Sequence, residues 1–247
     1  AVSEPKVESE DTRAGNQFIS NYPPYSLWSA AEIPKVESLL ASEGSAGVPL
    51  GLYVHLPFCR KRCDFCFYKV YTDKNARQIG QYLSALEREL ELYARSARIA
   101  GRPLDFVYFG GGTPSYLSTA QLERLFGGMQ RILSWRAVRE VTFECEPGTL
   151  QPQKLEALAR LGVTRLSLGV ENFDADILAL NNRAHRSKEI HSAFAAARAV
   201  GFPQINIDLI AGMVGESEAN WHRCVEETIR LAPDGVTIYQ MEVPHNT

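Results

Sequence analysis

The chain has no run approaching the roughly eighteen consecutive apolar residues of a membrane-spanning helix. Its N-terminus lacks both the basic stretch and the apolar core of a secretory signal. A cytoplasmic protein with no membrane partner is expected. A basic excess is missing too: 26 Lys and Arg against 29 Asp and Glu leave a formal net charge of −3, which gives no reason to expect a nucleic-acid partner. Cysteine is scarce, with five in 247 residues. Three of these crowd one loop and cannot pair off, so a disulfide framework is disfavoured. What remains is ordinary globular material, 45% hydrophobic and 22% charged, long enough for one sizeable core.

The three clustered thiols are the chain's most informative feature. The run Tyr53-Val-His-Leu-Pro-Phe-Cys59-Arg-Lys-Arg-Cys63-Asp-Phe-Cys66 places them in one tight loop directly after an apolar strand. Such a loop can wrap a [4Fe–4S] cube, one thiolate to a corner, and leave the fourth iron for a non-protein ligand. Structural zinc is the competing reading, and it needs a fourth Cys or His close by. His55 is the only candidate, and its place on the strand, four residues before Cys59, suits it poorly. The one basic run, Arg60-Lys61-Arg62, lies inside this loop. It reads as a solvated turn, or as a hold for an anionic electron donor. Cys145 and Cys224 sit in apolar patterns and read as buried, reduced cysteines.

Three segments are expected: a charged, aperiodic leader over 1–15, an extended arm rich in aromatics and prolines over 16–50, and a core over 51–247. Strand signals fall at Leu52–Pro57, Asp105–Phe109, Glu140–Cys145, Arg165–Glu171, Gln204–Leu209 and Val236–Glu242. Helical periodicity falls at Ile79–Arg98, Ser118–Leu133, Gln151–Leu161, Ala175–Leu180, Lys188–Val200 and Glu218–Leu231. Ser118 and Gln121 make a capping box, and Gly162 and Gly201 follow helices where a left-handed cap is wanted. Six βα repeats imply a parallel sheet. The strands alternate rather than running apolar throughout: Gln204, Asn206 and Asp208 oppose Ile205, Ile207 and Leu209, while Glu140, Thr142 and Glu144 oppose Val141, Phe143 and Cys145. A polar inner face implies a lumen that is wet or filled by a polar ligand, unlike the apolar plug of a closed eight-stranded barrel. The expected fold is therefore α/β, a partial (β/α)6 TIM-like barrel with an N-terminal extended arm.

The Cys-x3-Cys-x2-Cys spacing resembles the radical S-adenosylmethionine superfamily. Four further words, Gly110-Gly-Gly-Thr-Pro-Ser115, Glu144-Cys-Glu-Pro-Gly-Thr-Leu150, Arg165-Leu-Ser-Leu-Gly-Val-Glu-Asn-Phe173 and Asn206-Ile-Asp-Leu-Ile210, resemble its oxygen-independent coproporphyrinogen oxidase-like branch. The resemblance implies that Cys59, Cys63 and Cys66 bind a [4Fe–4S] cluster whose open iron is chelated by S-adenosylmethionine. Reductive cleavage then makes a 5′-deoxyadenosyl radical, with the electron drawn from a donor such as flavodoxin or ferredoxin. It further implies that Gly110, Gly111, Gly112 and Thr113 meet the methionine amino group, that Glu144 accepts from the ribose diol, and that Tyr53 and Phe65 flank the cluster and adenine. Arg183 would offer a fork to the ligand carboxylate. Asp208 and Glu171 complete the cofactor candidates, Glu171 standing where many relatives have Gln and bearing on a second S-adenosylmethionine. No residue is assigned as catalytic base or acid.

Within the branch, coproporphyrinogen oxidases carry a cysteine two residues after the third ligand, and this chain has Tyr68. The segments Asn21–Tyr25, Phe67–Asn75 and Tyr239–Pro244 look most like class C radical methyltransferases and cyclopropanases. These act on an sp2 carbon of a small-molecule substrate, using one or two cofactor molecules. A coproporphyrinogen dehydrogenase-like oxidoreductase and a haem-binding chaperone, with His245 as an axial candidate, remain alternatives. Gln240 and Glu242 are further polar candidates on the last strand. Relatives usually continue into a region that covers the barrel mouth, so a core without the complete substrate site is expected.

Overall fold

The computed structural model describes residues 28–45, 47–66 and 68–241. The expected leader, residues 16–27 of the arm, Phe67, Glu242 and His245 lie outside them. Within the segment read as an extended arm, Ile33–Ala41 forms a helix, α1, with Pro34 in its first turn, where proline's missing N–H costs nothing.

From Gly51 onward strand and helix alternate: β1 (Gly51–Leu56), α2 (Ala76–Ala94), β2 (Phe106–Gly111), α3 (Thr119–Ile132), β3 (Glu140–Cys145), α4 (Pro152–Arg160), β4 (Arg165–Glu171), α5 (Ala175–Leu180), α6 (Ser187–Val200), β5 (Gln204–Ala211), α7 (Glu218–Leu231) and β6 (Gly235–Gln240). The six strands pair in sequence order, all parallel, with β1 and β6 at the edges. This is the partial barrel expected from the alternation.

The helix ends form where their sequences direct. Ser118 accepts from the Gln121 amide and the Gln121 side chain answers to the Ser118 amide, and Asn75 with Gln78 does the same for α2. Gly201 ends α6 in the left-handed region (φ 87°) and Gly162 follows α4 at φ 93°, conformations that cost a Cβ-bearing residue energy.

The core lies between the strands' outer face and the helices. Phe109, Phe126 and Phe143 pack together there with centroids 4.7–6.3 Å apart, fully buried, the first two stacked. Val141, Leu166, Leu168, Ile205, Ile207 and Leu209 extend the same layer. Burying this apolar face leaves the alternate residues of each strand to the barrel interior.

Candidate functional site

Those alternate residues build a polar lumen in register. Tyr53 of β1 lies opposite Tyr108 of β2, Glu144 of β3 opposite Ser167 of β4, Ser167 opposite Asn206 of β5, and Asp208 opposite Thr237 of β6. Asn206 Nδ2 donates to Ser167 Oγ (3.0 Å), Asp208 Oδ1 (2.9 Å) and Thr237 Oγ1 (3.0 Å), and Ser167 Oγ donates to Asp208 Oδ2 at 2.8 Å. A buried carboxylate needs such partners. Even so, burial holds the Asp208 carboxyl above its usual range.

Glu144 occupies the centre of this surface. Tyr108 Oη donates to its Oε1 at 2.7 Å and the Gly111 amide to its Oε2 at 3.2 Å. Burial pushes its pKa up to about 7 against these two donors, and the nearby Asp208 adds to the rise. Gly110 must lack a side chain here, because a Cβ would stand 3.0 Å from Glu144 Oε1 and 2.9 Å from the Tyr108 ring. Gly111 has φ 118°, and its Cβ would meet the His55 ring at 2.8 Å. The triple glycine is thus a close-packed wall at the end of β2.

A stability consequence follows from Glu144. The folded state binds its proton up to about pH 7, whereas the unfolded carboxyl releases it near 4.5. Between these values the native state holds more protons, so stability falls as pH rises. Chemical denaturation of the apoprotein is therefore expected to show Glu144→Gln matching the parent near pH 4.5 and exceeding it above pH 7, by on the order of 1–3 kcal/mol. Equal stability of the two proteins at pH 8 would remove burial of the charge as the cause.

The cysteine loop follows β1 at the same end of the barrel. Cys59 is buried, with Cys63 and Cys66 partly so. The Cys59 Sγ accepts from Thr113 Oγ1 at 3.3 Å, and Gly112 packs so closely that a Cβ would lie 2.9 Å from that sulfur. Burial pushes the Cys59 thiol up to about 11 and raises Cys66 as well, and the three thiols stand near enough that ionised neighbours add to both shifts. Metal loading must therefore displace protons.

Two residues of the basic triplet, both exposed, also make defined contacts within the fold. Arg60 forks onto Glu146, donating from Nε to Oε2 at 3.1 Å, and Arg62 Nη2 donates to the Cys66 carbonyl at 2.9 Å.

Arg183, expected to offer a fork to a ligand, turns two of its three nitrogens to protein partners. Its Nη1 donates to Cys63 Sγ at 3.2 Å, and its Nη2 donates to the Gly169 carbonyl at 2.8 Å and faces Glu171 Oε1 at 3.3 Å. Burial lifts Glu171 to about pKa 7, with Arg183 opposing the rise. Tyr53 is exposed, stacks on Tyr108 (5.9 Å) and meets His55 Nδ1 at 3.0 Å. Phe65 packs against the small apolar cluster of Ile177, Ile210 and Met213. Tyr108, Ser167, Asn206, Thr237 and Asn182 were not among the sequence candidates. Tyr108 could have been found, since it lies two residues before Gly110 on the same strand face.

The residues fit an iron–sulfur cube better than a single ion. Among the described residues no three His, Cys, Asp or Glu side chains converge tightly enough to hold one metal ion. His55 lies against Gly111 and Tyr53, away from the closed tetrahedron that zinc requires. A cube spreads its thiolates further apart than a single ion does, and Cys59, Cys63 and Cys66 supply three around one loop. The buried Nε of Arg183 has no protein partner, so the wall beside Cys63 retains an unused donor.

Comparison with known proteins agrees with this geometry. The sequence profile of the Radical SAM superfamily matches residues 53–228, from Tyr53 through the loop, the glycine wall and β5. The chain belongs to the Radical SAM superfamily. The superfamily's cofactors are a [4Fe–4S] cluster and S-adenosylmethionine, as the resemblance implied. Among curated proteins, the oxygen-independent coproporphyrinogen III oxidase of Escherichia coli K12 is 34% identical over 191 residues, covering 77% of this chain and 41% of the relative. The heme chaperone HemW of Bacillus subtilis is 32% identical over 197 residues, covering 79% and 51%. The solved structure described as coproporphyrinogen III oxidase (HemN) from Escherichia coli, a radical SAM enzyme, superposes with a TM-score of 0.81 at 30% identity, over 92% of this chain and 52% of that one. The chain spans about half the length of these relatives. They correct the expectation of greatest similarity to class C methyltransferases, since the strong matches are coproporphyrinogen oxidases and haem chaperones. No helix among the described residues is long and apolar enough to cross a membrane.

Proposed function

We propose that this chain is the cofactor-binding core of a radical enzyme in the coproporphyrinogen oxidase and haem-chaperone branch. The observation that carries the reading is the meeting of three thiols with a side-chain-free glycine wall and a buried carboxylate at one end of a polar lumen. Cys59, Cys63 and Cys66 would hold the cluster, and Gly110 to Thr113 would lie along the methionine part of the nucleotide. Glu144, already oriented by Tyr108 and the Gly111 amide, would accept from a ribose diol. Tyr53 and Phe65 would border the cofactor, and Asp208, Glu171 and Arg183 would line the deeper lumen. When bound, the cluster and nucleotide supply a 5′-deoxyadenosyl radical able to take a hydrogen atom from a small-molecule substrate. The chain's own work is to orient these groups and exclude water. A flavodoxin or ferredoxin is the expected reductant, for which dithionite substitutes in the test.

Anaerobic reconstitution is expected to give about four irons per chain and, with dithionite and S-adenosylmethionine, 5′-deoxyadenosine. Purified protein that holds zinc and forms no 5′-deoxyadenosine would refute the reading. A second reading, methyl transfer or cyclopropanation at an sp2 carbon, rests on the likeness of Phe67–Asn75 and Tyr239–Pro244 to class C enzymes, while Tyr68 argues only against porphyrinogen decarboxylation. Methyl-labelled cofactor separates the two: S-adenosylhomocysteine alongside 5′-deoxyadenosine supports methyl transfer, and 5′-deoxyadenosine alone supports single-cofactor hydrogen abstraction. Haem binding without either product would support a chaperone.

A further inference from the structure

Arg183 stands between two groups of opposite consequence. One guanidinium nitrogen donates to Cys63 Sγ, and the other faces Glu171, with both members of the ion pair only 12% exposed. Neither end is free to drift. The turn before Arg183 is stitched to the cysteine loop: Asn182 Nδ2 donates to the Arg62 carbonyl and to Asp64 Oδ1, each at 3.0 Å, and the Asp64 amide donates to the Asn181 carbonyl at 3.4 Å. Asn182 makes this reach from φ 60°, a left-handed conformation that asparagine tolerates better than most residues.

At the other end Glu171 has φ 64°, where β4 slips register against β5 between Gly169 and Glu171. A residue with a Cβ holds that conformation only when its surroundings over-determine it, and such strain concentrates at functional sites. Gly169 makes the approach feasible, since a Cβ there would lie 2.9 Å from Glu171 Oε1 and 3.3 Å from Arg183 Nη2.

We infer that Arg183 is a positioning residue that transmits the charge at Glu171 to Cys63, so that whatever binds against Glu171 in the lumen sets how readily the cluster accepts an electron. This rests on the cluster reading above and adds a role for the lumen to it. Hydrogen bonds to cluster sulfurs and the local net charge are two of the levers a protein has on such a potential. The guanidinium's donors form one rigid fork, so attraction towards Glu171 competes with donation to the sulfur. A cationic ligand group placed against Glu171, such as an ammonium or sulfonium, would share that carboxylate and leave more of Arg183's field on Cys63. Reduction would then be easier with the lumen filled than empty.

The test is an EPR-monitored redox titration of the reconstituted full chain and of Glu171→Gln, Arg183→Lys and Arg183→Met. At pH 8.5, above the Glu171 pKa of about 7, Glu171→Gln removes a negative charge while keeping the shape. It is expected to raise the equilibrium constant for reduction at least about threefold, or about 28 mV for one electron at 59 mV per tenfold. Arg183→Met is expected to lower it by a similar factor. Arg183→Lys, which keeps the charge and loses the fork, should fall between Arg183→Met and the parent. A purely structural role would lower the iron content of the variants and leave the potential of the loaded fraction unmoved, and that result overturns the inference. Should Arg183→Met fail to fold, Glu171→Gln and Arg183→Lys decide the question between them. Loaded proteins with equal potentials would sink the coupling alone, whereas a parent chain that binds no iron would sink the cluster reading as well.

Discussion

Cys59→Ala, Cys63→Ala and Cys66→Ala are each expected to lower 5′-deoxyadenosine formation by at least about 1000-fold, a loss of about 4 kcal/mol in transition-state stabilisation, together with loss of bound iron. The magnitude follows from the geometry. Each thiol is held in place by the fold: Cys59 by Thr113 and the glycine wall, Cys63 by Arg183, and Cys66 within a turn that Arg62 closes through the Cys66 carbonyl. No other cysteine stands in reserve. Cys145 is buried in the core as the last residue of β3, and Cys224, on the buried face of α7, donates to Asn172 Oδ1 at 3.1 Å. Cys145→Ala and Cys224→Ala are accordingly expected to keep full iron content, with a stability cost of roughly 1–2 kcal/mol each from the lost packing. Iron and sulfide analysis with product quantification checks the set. Retention of cleavage in any of the first three variants would defeat the assignment of the loop.

Gly112→Ala is expected to have nearly as large an effect through sterics alone. The added methyl would stand 2.9 Å from Cys59 Sγ, 2.9 Å from the Phe58 carbonyl oxygen and 3.0 Å from the Phe58 amide. Two of those atoms are backbone at the start of the cysteine loop, and the Gly112 amide is itself bonded to the Leu56 carbonyl at 2.9 Å. The wall cannot yield without moving β1 or the loop. Iron content is expected to fall at least about tenfold, with overpacking costing about 1–3 kcal/mol. Gly80→Ala is the matched control: Gly80 lies within α2, its nearest new contact would be 3.7 Å away, and helix propensity makes the change stabilising by about 0.5–1 kcal/mol. Equal iron content in both variants would show that the glycine wall does not brace the loop.

Much of this architecture was legible in the residues because its determinants are local. Period-two alternation marked the strand faces, and β3 and β4 fall at their expected bounds. The Ser118 and Gln121 box opens α3, and Gly201 closes α6. The α1 helix was missed because the prolines and aromatics around it read as extended chain, and Pro34 is harmless only when it falls in a first turn. The thiols and glycines announced themselves through spacing. Arg183 did not: its partners Cys63 and Gly169 lie 120 and 14 residues away, and only the folded barrel brings the sulfur and the lumen to one guanidinium. The contact of Arg60 with Glu146 was hidden for the same reason, the two being 86 residues apart, whereas Arg62 bonds a carbonyl only four residues away.

The backbone at Glu171 sets local relaxation against the ion pair. Glycine would relax the left-handed dihedral by about 1 kcal/mol, yet it would leave the buried Arg183 guanidinium without its carboxylate, which costs about 3–5 kcal/mol. The same exchange would strip the lumen of the anion facing Arg183. An engineer hardening this barrel would do well to hold that position fixed and seek tolerance to heat in the helices outside it.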